Sequence, residues 1–119
     1  MFKKACLSII TILFSTFAVA NPTCSGTVSG VSMSGGGSVY ATVRNGGGTN
    51  LTDVVFCNIN STSGNFSGEA CKGVLSLLIS SAAMQKNVTL WFKDAQFDDC
   101  TQSWKNLNGI GLYHLRVNG

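Results

Sequence analysis

Charge is what this chain has least of. Eight Lys and Arg and five Asp and Glu are spread over 119 residues, with one histidine and one proline. Lys3 and Lys4 stand in an apolar leader, so the formal charge of +3 falls to near neutral once they are set aside. A nucleic-acid binder ordinarily shows a basic patch or stripe, and this chain has none. Solubility must rest on Asn, Ser, Thr and Gly instead. No serine sits in a G-x-S-x-G setting. His114 falls inside an apolar run at the parity of Ile110 and Leu112, which reads as a core or sheet-face side chain. The glycine clusters Gly35-Gly36-Gly37 and Gly46-Gly47-Gly48 lack the lysine and the strand-loop-helix setting of a phosphate loop. They read as turns. An enzyme is therefore not expected, and neither is a cofactor or a resident metal.

Long apolar runs are confined to the start. Residues 1–20 combine Lys3 and Lys4, an apolar stretch and Ala18-Val19-Ala20, the pattern of a secretory signal peptide with a small-x-small cleavage site. No later segment is apolar for long enough to span a bilayer. The expected mature chain, Asn21 to Gly119, is a single small domain that is secreted or periplasmic. Of the five cysteines, Cys6 leaves with the leader. Cys24, Cys57, Cys71 and Cys100 read as two disulfides in an exported chain. Zinc is the alternative, and the absence of any C-x-x-C pair counts against it. The Asn-x-Ser/Thr sequons at Asn50, Asn60, Asn65 and Asn87 would matter only in a eukaryotic secretory route.

What is there is mostly strand. Thr23–Ser34 alternates apolar and polar residues, with Val28 on one parity and Val31 and Met33 on the other. Ser38–Arg44 alternates most regularly: Val39, Ala41 and Val43 face one way, Tyr40, Thr42 and Arg44 the other. Asn45-Gly46 marks a hairpin turn. Asp53–Ile59 is β-branched and aromatic and reads as a third strand. Cys71, Val74, Leu75, Leu78 and Ala82 then recur at helical spacing. Ser67 is the expected N-cap and Glu69 favours the positive end of the dipole. Lys86 favours the other end, and Asn87 serves as the stop. Val88–Lys93 reads as a fourth strand, residues 95–108 as a long polar loop, and Gly109–Val117 as the last strand.

The order β-β-β-α-β-β is that of the OB-fold, a five-stranded Greek-key barrel with a helix between its third and fourth strands. The expected class is thus mainly β with one helix. In that topology the first strand pairs antiparallel with the fourth, which brings Cys24 near Cys100. Cys57 ends the third strand and Cys71 opens the helix. The fold therefore predicts Cys24–Cys100 and Cys57–Cys71.

Candidate ligand groups gather in the loop before the last strand. Sugar sites combine an aromatic face with amides and carboxylates for the hydroxyls. Asp98, Asp99, Gln102, Trp104, Lys105, Asn106 and Asn108 supply those types. Trp104 is the central candidate; its alternative role is a lid over one end of the barrel. Asp98-Asp99 could approach a calcium ion, but lack the ladder of oxygens of a calcium loop, and a solvated acidic turn is the plainer reading. Trp91 faces away from the core if Leu90 and Phe92 face in, as an oligomer contact or second platform. Tyr40 and Arg44 share the outer face of the second strand.

With these features in place the chain resembles the B subunits of bacterial AB toxins, in particular the binding subunit of the subtilase cytotoxin type. Phe56-Cys57 closes the third strand, Cys71 follows, then the helix, then Val88-Thr89-Leu90-Trp91. The pattern covers Phe56–Phe92; beyond that, only strand order corresponds. That family's sugar-contacting residues have no convincing counterpart in the early loops here. The resemblance implies a glycan or glycoprotein ligand, a homopentamer and a separate enzymatic A subunit. Two other readings stand beside it: a periplasmic protein-binding or inhibitor domain, and a single-stranded nucleic-acid binder on the same fold.

Overall fold

Val39, Ala41 and Val43 are wholly buried while Arg44 is exposed, so the alternation in the second strand marks the inner face of a sheet. The structure, a computed structural model, describes residues 22–93 and 99–119. In chain order its strands are β1 (Thr23–Met33), β2 (Ser38–Arg44), β3 (Asn50–Asn58), β4 (Asn87–Phe92), β5 (Thr101–Ser103) and β6 (Leu112–Val117). Helix α1 (Gly68–Met84) lies between β3 and β4, and a 3-10 turn (Leu107–Ile110) lies between β5 and β6. Nearest-neighbour order across the sheet is β5-β3-β2-β1-β4-β6. All pairings are antiparallel except β3 with β5.

The described residues are mainly β with one α-helix, as the sequence predicts. The expected five-stranded closed barrel is corrected to an open mixed sheet of six strands. The extra strand comes from the predicted loop. Thr101–Ser103 is polar and carries no alternation, but its backbone completes the outer edge of β3: Asn50 donates to the Cys100 carbonyl at 2.8 Å and Trp104 to that of Thr52 at 3.0 Å. Val55 donates to Lys105 at 2.8 Å just beyond. An unpaired edge is thereby satisfied. The last strand starts at Leu112 rather than Gly109, because Asn106 caps the 3-10 turn through its side chain and Gly111, at φ 98°, ends it. Among the described residues β5 and β6 remain the two edges.

Bulges account for the broken alternations. In β1 the register with β2 shifts between Ser29 and Ser32, with Gly30 at φ 60°. Val31 consequently packs half-buried against the same core as the buried Val28 despite their separate parities, while Met33 is exposed. Gly26 permits a close approach: a Cβ there would stand 2.5 Å from the Arg44 carbonyl oxygen.

Helix α1 lays Cys71, Val74, Leu78 and Ser81 onto the sheet. Burying a leucine such as Leu78 contributes about 1.5–3 kcal/mol. Ser67 accepts from Ala70 N–H at 3.1 Å, as expected of the cap. The helix ends earlier than predicted. Gln85 takes the left-handed conformation and Lys86 N–H returns to the Ser81 carbonyl at 3.0 Å. Lys86 therefore lies past the last turn, and Asn87 opens β4. Below the helix, Phe56, Leu51, Leu90, Phe92, Leu107 and Leu112 fill the core.

Cys24–Cys100 and Cys57–Cys71 are both formed, with Cα separations of 5.7 and 5.6 Å. The first ties the start of β1, paired with β4 at Cys24–Leu90, to the chain entering β5. The second clasps the end of β3 to the first turn of α1.

Candidate functional site

The alternation of β2 sends Tyr40, Thr42 and Arg44 to the outer face. Opposite them β3 bulges, its register shifting between Ala41 and Val43. Asp53 occupies the bulge at φ 49° and donates its backbone N–H to Thr42 Oγ1 at 3.1 Å. Left-handed backbone outside glycine is uncommon and best tolerated by Asp and Asn. Arg44 is held flat across the strands: Nε donates to Asn50 Oδ1 at 3.0 Å and Nη2 to Thr52 Oγ1 at 3.2 Å. Thr52 in turn donates to the same Asn50 oxygen at 2.9 Å.

β5 then carries Trp104 into this neighbourhood. The residue is 69% exposed and sits at φ 55°, a conformation unfavourable for an aromatic side chain. Its indole meets the Tyr40 ring in a T-shaped arrangement with centroids 6.1 Å apart. Strained backbone of this kind is concentrated at functional sites. In the parallel pair Thr52, the residue before Asp53, stands beside Ser103, the residue before Trp104. Among the described residues the Asp53 carboxylate has no hydrogen bond or ion pair. In the sequence Asp53 stands only as the first residue of a strand-like run. Its signal, an acidic residue heading a β-branched run, exists but is weak.

The other predicted residues separate. Asp98 lies outside the described residues. Asp99 accepts from Thr101 N–H at 3.0 Å and so shapes the entry to β5. Gln102 is half-buried and donates to the Asp99 carbonyl at 3.4 Å. Asn106 is exposed and accepts from Asn108 N–H at 3.0 Å. Asn108 is only 5% exposed; its Nδ2 donates to the Phe56 carbonyl, and its Oδ1 is buried with no partner. It pins the 3-10 turn to β3. Lys105 is exposed beside Trp104.

A second aromatic group lies on β4 and β6. Trp91 does face away from the buried Leu90 and Phe92. It meets His114 at 4.9 Å between ring centroids and lies under the Arg116 guanidinium at 5.1 Å. His114 is exposed on the sheet face and does not keep company with buried Leu112, because the β4–β6 register slips between Trp91 and Phe92 and leaves Tyr113 as the extra residue. That slip turns the strand over between Leu112 and His114.

No group of three or more His, Cys, Asp or Glu among the described residues could hold a metal ion. No helix among them is long and apolar enough to cross a membrane. The chain matches no protein-family model, no curated protein and no solved structure.

Proposed function

We propose that this protein is an exported glycan-binding domain without catalytic activity, and that the sugar lies on the outer face around Trp104. The observation that carries the reading is the exposed Trp104 indole braced against Tyr40. A pyranose presents a C–H face that stacks on an indole, while its hydroxyls need donors and acceptors at the rim. Arg44, Asn50, Thr52 and Asp53 supply both kinds beside the ring pair. The two disulfides are consistent with an oxidising, secreted or periplasmic setting. In this reading the open sheet is a relative of the OB-fold that keeps the antiparallel β1–β4 pairing and the helix between β3 and β4. The likeness to toxin B subunits extends the proposal to a homopentamer that serves a separate A subunit.

The test is a glycan array probed with the oxidised mature protein and with Trp104→Ala. Specific glycans bound by the wild type and lost at least tenfold by the variant are the expected result. A binding profile that survives removal of the indole would move the site elsewhere, and an array with no specific signal would count against the glycan reading itself.

A further inference from the structure

α1 and β6 border a groove of about 460 Å³ whose lining does not include Trp104. Pockets for small ligands span roughly 300–1,000 Å³ and are mostly apolar with a few polar groups. Phe66, Val74, Leu77 and Leu115 form the apolar walls, and Tyr113 and His114 form the wall toward the sheet edge. Leu77 is 41% exposed there.

The groove has a gap in its helical wall at Gly73. Glycine inside a helix is the poorest choice after proline, so a mid-helix glycine calls for a reason. Packing within this chain is not the reason: a Cβ at Gly73 would meet nothing within 4 Å. The structural consequence of the missing side chain is space in the groove.

One end of the groove is cationic. Lys93 Nζ lies 5.5 Å from the centre of the Tyr113 ring and 3.5 Å from Asn65 Oδ1. The ion pair found among the described residues joins Lys72 to Glu69, so no described carboxylate neutralises Lys93. An apolar trough with a cation at its end that no described carboxylate neutralises is complementary to an amphipathic anion.

We propose that the α1–β6 groove binds an amphipathic carboxylate as a free monomer, its aliphatic body along Val74, Leu77 and Tyr113 and its carboxylate at the Lys93 rim. The site is separate from the Trp104 face and does not depend on the glycan reading.

Calorimetric titration of the oxidised mature protein with decanoate, kept below its micelle concentration, tests this against decanol as the uncharged counterpart. Saturable binding of decanoate, several-fold tighter than of decanol, is expected. Gly73→Leu should weaken it at least tenfold while Tm holds or rises, since leucine is a better helix former and its Cβ enters open space. Lys93→Gln should remove the preference for decanoate over decanol. Trp104→Ala should leave decanoate binding unchanged. Absence of saturable binding would overturn the proposal, as would equal affinity in the Gly73→Leu variant. Binding confined to phosphatidylglycerol vesicles and indifferent to Gly73→Leu would assign the cations to a lipid surface and overturn it too.

Discussion

Trp104 reaches Tyr40 across an intervening strand. Tyr40 lies on β2 and Trp104 follows β5, with β3 between them, yet the rings meet at 6.1 Å. The Trp104 backbone is anchored to Thr52 on β3 at 3.0 Å, and its left-handed φ of 55° is part of the turn that leads away from that anchor. A large side chain in this conformation costs about 1–2 kcal/mol, which other contacts must offset.

Replacing Trp104 should therefore separate binding from stability. Trp104→Ala removes an exposed side chain and should change unfolding free energy by no more than about 0.5 kcal/mol. Trp104→Gly relieves the backbone and should be neutral or stabilising by about 1 kcal/mol. Urea unfolding of both variants, followed by far-UV circular dichroism, reads the difference. A large loss in either would mean that the indole is a structural lid over the sheet, the alternative role its sequence setting allowed.

Gln85 ends α1 in the left-handed region at φ 53° without the glycine that usually stands there. Gln85→Gly should raise stability by about 0.5–1 kcal/mol, since the relief of the Cβ clash outweighs the added freedom of the unfolded chain. Thermal unfolding at fixed pH measures it as a higher Tm.

Asn108 should be costly to remove although it lies in a nominal loop. Asn108→Ala leaves the buried Phe56 carbonyl without its side-chain donor, at about 1–3 kcal/mol. The buried Oδ1 without a partner offsets part of this. The measurement is the urea midpoint, with hydrogen exchange at residues 104–111 showing whether the 3-10 turn detaches from β3.

The two disulfides should differ in both accessibility and weight. Cys57 and Cys71 are wholly buried, whereas Cys100 is half-buried at the chain entering β5. Graded reduction with alkylation and mass spectrometry should open Cys24–Cys100 first. In the chain-entropy account, removing Cys24–Cys100, with a sequence separation of 76, should cost about 4.5 kcal/mol. Removing Cys57–Cys71, with a separation of 14, should cost about 3 kcal/mol. Paired Cys→Ala variants compared by urea unfolding test that order.

Legibility in the sequence followed the range of the interactions. Ser38–Arg44 was readable to the residue because strand alternation is a local record of one buried face. The start of α1 was readable because Ser67 caps the next turn, but its end was set by Gln85 bending back to close the helix, which no residue preference announces. Cys24–Cys100 could be foreseen once β1 and β4 were taken as partners, since pairing alone brings those ends together. His114 is a sheet-face side chain of the last strand, as its setting suggests, but it does not share the face of Leu112, because a single slipped residue between Trp91 and Phe92 reverses the strand there. Thr101–Ser103 has no local signature, being a strand made by the vacant edge of β3 and not by its own side chains.

The candidate site divides along the same line. Trp104 and the outward Tyr40 and Arg44 stand out by residue type and parity, which composition and alternation reveal. Asp53 joined them only through a bulge opposite Thr42, and Asn108 left them only because its amide found the Phe56 carbonyl in the core. By itself the sequence determined the elements with local periodicity, the position of the helix and the cysteines available to staple it. The tertiary structure decided the sixth strand, the open edges and which polar groups face solvent. Those depend on backbone hydrogen bonds between segments far apart in the chain, and a vacant strand edge accepts almost any backbone that reaches it.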